Sequence, residues 1–383
     1  MIRLLGSALA LVALAGCTGV PHAPPLEPRT LLRDEAFARP AQVIDANEVF
    51  AVDNSMREYL QHSWPLMRRE GRPKGLVDAL YTRGELKLEY DASYTRNASQ
   101  AFAARAGNCL SLVVMTAALA KELGLQVEFN SAFADETWSR SGSLLLRSGH
   151  INITLGQRTI ERARGEGERH WTIDFLPQGE LRGLRTRHLS EATVVAMFMN
   201  NRAAEALARD GFDEAYWWAR EGLIADPAFP GVLNTLGVIY HRSGRSADAE
   251  LVYSELLRRQ PQHVQALHNM VQLLQAQGRH AEASPLAARL AALEPEPPYH
   301  WFVQGQLALR RGDARTARDL FAKEVARADY SSEFHYWLAQ AQYQLGEVDA
   351  AQRSLERAEA LSTSRNERDL YAAKLAWLNQ KRH

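Results

Sequence analysis

Residues 233–261, LNTLGVIYHRSGRSADAELVYSELLRRQP, hold the pattern from which the second half of the chain is read. Leu236 and Tyr240 stand four apart, Gly244 follows, and Ala249 and Tyr253 again stand four apart, which is the spacing of two helices joined at a glycine. Steps of 34 residues from this stretch meet the same residue types: Gly244, Gly278, Gly312 and Gly346, then Ala215, Ala249, Ala283, Ala317 and Ala351, then Pro227, Pro261 and Pro295. Each type has a physical task. Glycine accepts a turn conformation that other residues resist, alanine lets two helix backbones approach, and proline ends the second helix. Asp210 takes the glycine place in the first unit and Thr363 the proline place in the fifth, as terminal units facing water tolerate.

This period and these residues resemble the tetratricopeptide repeat. The resemblance implies an all-α solenoid of about five helical pairs over residues 190–383, with units beginning near Ala196, Pro230, Val264, Pro298 and Ser332 and a capping helix over about 366–380. It also implies that first-helix positions line a concave face, which places Asn200, Asn234, His268, Asn269, Gln272, Tyr299, Phe302 and Tyr336 there. Amides pair with a peptide backbone and aromatic faces add apolar area, so a protein or peptide is the partner expected of that groove.

Ahead of the repeats, residues 45–189 change period. Residues 97–104 and 110–123 have helical spacing, whereas 126–133, 150–155 and 170–175 alternate or are rich in β-branched and aromatic residues, with polar stretches at 135–149 and 162–168 between them. That is an α+β block. Within it RAGNCLSL, residues 105–112, sets Cys109 at the first turn of the apolar helix. Unpaired N–H groups and the macrodipole there favour a thiolate, and the same amides suit the oxyanion formed when a carbonyl is attacked. Downstream, His150 opens one alternating strand and Asp174 lies late in the next, on matching parity.

The order of a cysteine at a helix start, a histidine on a strand and an aspartate on the following strand, with RAGNCLS around the thiol, resembles the transglutaminase-like, papain-like superfamily. The resemblance covers about residues 82–177 and implies a papain/transglutaminase-like α+β domain in which Cys109 is the nucleophile, His150 the base and Asp174 the orienting acid. Members cleave or transfer peptide and protein amides through a thioester. Asn152 departs from the pattern, since many relatives carry an aromatic residue two places after the histidine.

Residues 1–16 carry a cation at Arg3, an apolar run and small residues before Cys17, which reads as a signal peptide. Leu14, Ala15, Gly16 and Cys17 resemble the lipobox of bacterial lipoproteins; that resemblance implies lipidation of Cys17, and Thr18 after it implies the outer membrane, facing the periplasm. Residues 17–44, rich in proline, read as a tether. Of two cysteines, lipidation uses one, which leaves Cys109 without a disulfide partner.

Lys plus Arg and Asp plus Glu number 45 each, and so balanced a charge argues against a nucleic-acid surface. The 12 histidines lack metal-ligand spacing and no glycine-rich phosphate loop occurs, so no metal or cofactor is expected. The assembled expectation is a lipid-anchored thiol enzyme acting on amides, with a repeat array recruiting substrate or partner. The alternative is an inactive lipoprotein adaptor whose repeats alone bind.

Overall fold

The computed structural model describes residues 26–82, 86, 88–141, 144–156, 170–175, 185–362 and 364–381, with the backbone alone for 82, 132–150, 185, 186 and 381. The expected signal peptide and Cys17 lie outside the described residues.

The first core forms around one helix. Five elements precede it in the block: α1 (Asn54–Glu70), α2 (Arg72–Val77), the short β1 (Glu89–Tyr90), α3 (Ala98–Ala104) and β2 (Ala106–Gly107), the two strands pairing in parallel. Then α4 (Cys109–Glu122) buries every residue from 110 to 120. A helix apolar all round must be enclosed on all sides. On one side lies a four-stranded antiparallel sheet in the order β5-β4-β3-β6, formed by β3 (Gln126–Ser141), β4 (Leu144–Gly156), β5 (Trp171–Ile173) and β6 (Arg185–Leu189). Phe129 pairs with Ile153 and Ile153 with Ile173, so alternate residues Phe129, Ile151, Ile153, Leu155 and Ile173 form the buried face toward α4. Met56 and Met67 of α1, Leu76 of α2 and Ala101 of α3 close the same core.

Two strands differ from expectation. The β3–β4 ladder runs on through 135–149, expected as a polar separator, because main-chain pairing from Thr137↔Ser148 to Ser141↔Leu144 satisfies the backbone after a register irregularity. Arg185–Leu189 pairs at the edge of β3 although its charged sequence gives little strand signal.

Five antiparallel helix pairs follow: α5 (Glu191–Ala208) with α6 (Phe212–Ala225), α7 (Pro230–Arg242) with α8 (Ser246–Arg259), α9 (Val264–Ala276) with α10 (His280–Leu293), α11 (His300–Arg310) with α12 (Ala314–Arg327), and α13 (Ser332–Gln344) with α14 (Val348–Leu361). The last helix, α15 (Arg365–Lys381), caps them. The five recurring alanines are at most 2 % exposed, as close helix contact requires. Gly244, Gly278, Gly312 and Gly346 have φ between +73 and +81°, and Asp210 holds the same left-handed turn at +59°. An L side chain is strained there. Asp210→Gly is therefore expected to raise stability by about 1 kcal/mol. The Arg242 ion pair lost with it is exposed and contributes little. An increase in the urea midpoint checks this, and a decrease contradicts it.

Helix α5 belongs to both halves of the molecule. Its Val194, Phe198 and Met199 enter the core around α4, while Ala203, Ala206 and Leu207 enter the core of the repeats. The repeat core extends to Ala283 of α10, and a separate cluster begins at Tyr299. Prolines 295, 297 and 298 separate the two and delay α11 to His300, two residues beyond the expected start at Pro298.

The proline-rich segment expected as a tether is packed from its first described residues. Leu31 and Phe37 are 3 % and 6 % exposed within the core of repeats one and two. Phe37 stacks on Tyr216 with centroids 4.2 Å apart. The repeats also bond the strap's main chain. Tyr216 Oη accepts the Arg33 N–H at 2.8 Å, the Tyr240 hydroxyl donates to the Leu31 carbonyl at 2.7 Å, and Trp217 Nε1–H donates to the Ala38 carbonyl at 2.8 Å. Arg33 pairs with Asp248 and Asp34 with Arg220. Proline content removes donors and stiffens the chain, but leaves these apolar and charged side chains able to dock.

Candidate functional site around Cys109

The chain reaches Cys109 through a tight turn. Arg105 closes α3 in the left-handed region at φ +51°, and β2 leads directly into α4. A Cβ on Gly107 would stand 2.6 Å from Ser111 Cβ, so glycine is required for this approach. Asn108 is the N-cap, its Oδ1 accepting from Ser111 N–H at 2.9 Å. Cys109 is thus the first helical residue, half-buried and a free thiol. In that position the amides of the opening turn have no intrahelical acceptor and present partial positive charge beside the sulfur.

Tyr90 of β1 comes next to this thiol. Its side chain is partly exposed, 41 % by residue, yet burial first and the neighbouring Cys109 sulfur second push its phenol ionisation up. The phenol is therefore a neutral hydroxyl beside the sulfur across the physiological range. Deeper along α4, Tyr81 Oη and Thr116 Oγ1 are 2.5 Å apart, and the Tyr81 ring meets Phe175 edge-on at 5.5 Å. Burial raises the Tyr81 phenol as well, so this pair is a neutral structural contact.

The other two expected site residues lie on the sheet. Asp174 follows β5 directly, and its Oδ2 accepts from Asn152 Nδ2 at 3.2 Å. Asn152 is 5 % exposed, and Asn130 Nδ2 donates to Asn152 Oδ1 at 3.3 Å and to Thr154 Oγ1 at 3.2 Å. These residues form a polar row across three strands, on the parity opposite to Ile151 and Ile153. His150 lies in β4 opposite Ala132, two residues from Asn152 and on its parity; its side chain lies outside the described residues. The structure thus brings Tyr90 to Cys109 and Asn152 to Asp174. Tyr90 was missed because LEYDASY, residues 88–94, carries no period and no nucleophile.

The expected groove residues fall into two groups. Asn269 Nδ2 donates to Asn234 Oδ1 at 3.0 Å across neighbouring first helices, with His268 and Gln272 exposed on the same helix as Asn269. Asn200 Oδ1 is buried without a hydrogen-bond partner among the described residues. Tyr336 stacks on Tyr371 of the cap at 5.2 Å and borders a recess of roughly 370 Å³ shared with Gln306, Trp337 and Gln340. Phe302 and Tyr299 lie in the core and not on the expected groove. Phe302 is 0 % exposed and packs with Phe321 and Phe334, and Tyr299 is 6 % exposed against Phe334. A large apolar ring at that register gains more from core burial than from facing a groove.

Among the described residues no group of three or more His, Cys, Asp or Glu side chains is placed to hold a metal ion, and no helix is long and apolar enough to cross a membrane.

The profile of a family described as anaphase-promoting complex, cyclosome, subunit 3 matches residues 276–358. No curated protein matches the chain. Among solved structures, PilF of Pseudomonas aeruginosa is 18 % identical, covering 49 % of this chain and 85 % of that chain with a TM-score of 0.30. A thermophilic TPR protein of Thermus thermophilus is 17 % identical over 47 % of this chain and 99 % of that chain, TM-score 0.30. Yeast Tom70 is 17 % identical over 49 % of this chain and 40 % of that chain, TM-score 0.34. The chain therefore carries a solenoid of tetratricopeptide type, resting on its own helix pairs, its period and the matched profile.

Proposed function

We propose that the protein is a thiol-dependent enzyme acting on peptide or protein amides, whose repeats recruit a protein substrate or partner and whose lipidated Cys17 moors it to the outer membrane, facing the periplasm. The observation that carries the chemical part is the free thiol of Cys109 at the first residue of a helix buried from 110 to 120, where the unpaired opening amides suit the oxyanion of an attacked carbonyl. His150 takes the thiol proton, sulfur bonds to the carbonyl carbon, and the imidazolium returns the proton as the C–N bond breaks and the amine leaves. Water then cleaves the thioester, releasing the acid and restoring the thiol. Asp174, which follows β5 and accepts from Asn152, would be the acid that orients the imidazole. Cys109→Ala is expected to abolish turnover of a glutamine-containing peptide and iodoacetamide labelling of the Cys109 peptide; undiminished turnover sinks the assignment.

The second reading is an adaptor. The matched profile lies wholly within the repeats, and a groove with an Asn234–Asn269 ladder suits an extended polypeptide without chemistry. It requires that Cys109→Ser keep full partner binding and biological activity.

A further inference from the structure

Arg202 lies on α5, the first helix of the repeats, and is 8 % exposed. A guanidinium is costly to bury unless it is held on all sides. Here Tyr94 lies 4.0 Å and Trp218 4.7 Å from it, measured to ring centroids. Its Nη1 donates to the Thr95 carbonyl at 3.3 Å, and its Nε is 3.4 Å from Glu205 Oε2. Glu205 Oε1 in turn accepts the Thr95 N–H at 2.7 Å. One turn of α5 therefore grips both main-chain groups of Thr95, a residue with no exposed surface.

Thr95 hands this grip to the thiol helix. Its Oγ1 accepts from Asn108 Nδ2 at 2.9 Å, and Asn108 Oδ1 accepts from both the N–H and the hydroxyl of Ser111 at 2.9 Å. The Ser111 hydroxyl accepts the Arg96 N–H at 2.8 Å, closing a ring of bonds around the opening turn of α4. At its other end the same loop is tied by Asp91 N–H to the Gly107 carbonyl at 3.1 Å, beside Tyr90 and the sulfur. A stability role alone would be met by apolar packing between α5 and the block, which Phe198 and Met199 already supply.

We propose that Arg202 and Glu205 are positioning residues for Cys109: the first repeat helix fixes, through Thr95 and Asn108, the cap that aims the opening amides of α4 at the sulfur. This rests on the reading of Cys109 as a nucleophile. The repeat array is then part of the scaffold of the thiol site as well as a recruiting surface, and the α+β block alone lacks a wall of that site.

The test is the rate of iodoacetamide alkylation at Cys109 in the full chain, followed by mass spectrometry of its peptide, with a short unstructured cysteine peptide as reference. The wild-type thiol is expected to react at least about tenfold faster than the reference. Arg202→Met, Glu205→Ala and Thr95→Val each lower that rate about fivefold or more, while Glu205→Gln, which still accepts from Thr95, stays near wild type. A merely structural Glu205 predicts no such split between Ala and Gln in folded protein. A fast wild type with unchanged rates in the folded variants overturns the inference and leaves the nucleophile reading intact. A wild-type rate equal to the reference overturns the nucleophile reading, and the inference falls with it. If Arg202→Met and Glu205→Ala do not fold, Thr95→Val decides, because it keeps the volume and leaves α5 untouched.

Discussion

Phe37→Asp releases the strap over residues 31–38 and lowers the stability of repeats one and two by about 3–5 kcal/mol. Phe37 is 6 % exposed, with Tyr216 stacked on one side and the Arg245 guanidinium 5.6 Å from its ring. The substitution removes the stack and buries a carboxylate near Asp34, which already engages Arg220 and the Tyr216 hydroxyl, the latter donating at 2.6 Å. Once Phe37 leaves, the main-chain bonds to Tyr216, Tyr240 and Trp217 lose their anchor and exchange with water. Burial, and then the Asp34 hydrogen bond, holds the Tyr216 phenol well above its usual ionisation, so the neutral hydroxyl both donates to Asp34 and accepts from the Arg33 N–H. The measurements are the urea midpoint followed by tryptophan fluorescence and the rate of tryptic cleavage after Arg33, which the docked strap holds against Asp248. Unchanged values for both contradict the role of the strap as a cover for this aromatic face.

The docked strap also alters how the proposed anchor works. A tether running from Cys17 to residue 44 has a reach of about 85 Å in polyproline II, whereas the stretch from Cys17 to Leu26 has about 28 Å. A lipid on Cys17, as proposed, would keep repeats one and two close to the membrane, and the α+β block would follow through α5, which both cores share.

What was legible follows from where the constraint is local. The turn at Gly244 needs a positive φ and recurs every 34 residues, so the period located the turns of the five helix pairs, with Asp210 keeping the first in phase, although α5 begins at Glu191, ahead of the expected Ala196. The strap was not legible as a docked element because its two buried side chains, Leu31 and Phe37, have no period to expose them; their partners are about 200 residues away in sequence, as with Leu31 and Tyr240 at a separation of 209. The paired Arg33 and Asp34 between two apolar residues were the available signal. Phe302 and Tyr299 were assigned by register, and register does not encode whether a neighbouring ring is large enough to draw a side chain inward, as Phe321 and Phe334 do. At the site, Cys109 at the opening of α4 was readable from the apolar helical run that follows it. Thr95 and Arg202 were not, since the Arg202–Thr95 bond crosses from the repeats to the block and the Asn108–Thr95 bond reaches α4 from a loop without a period.

Gly237→Val is expected to cost about 3 kcal/mol or more. A Cβ at Gly237 would overlap the Tyr253 ring, standing 2.7 Å from Cζ and 2.8 Å from Cδ1, and Tyr253 is 1 % exposed with nowhere to retreat. The two positions trade volume along the array. Gly237 goes with Tyr253 and Gly305 with Phe321, a Cβ at Gly305 standing 2.7 Å from Phe321 Cε1. At the same register, Ala203 goes with Ala219, Val271 with Ala287 and Ala339 with Leu355. A small residue on the first helix therefore permits a ring on the second, and a larger one requires a smaller partner, as close packing demands. Gly237→Ala alone should cost about 1–3 kcal/mol. Combining it with Tyr253→Leu copies the Ala339–Leu355 pair, and the double variant should be destabilised by less than the two single costs added. Urea midpoints of the two single variants and the double variant measure the coupling. Strict additivity of the two costs would mean that the glycine serves the helix backbone rather than the tyrosine ring.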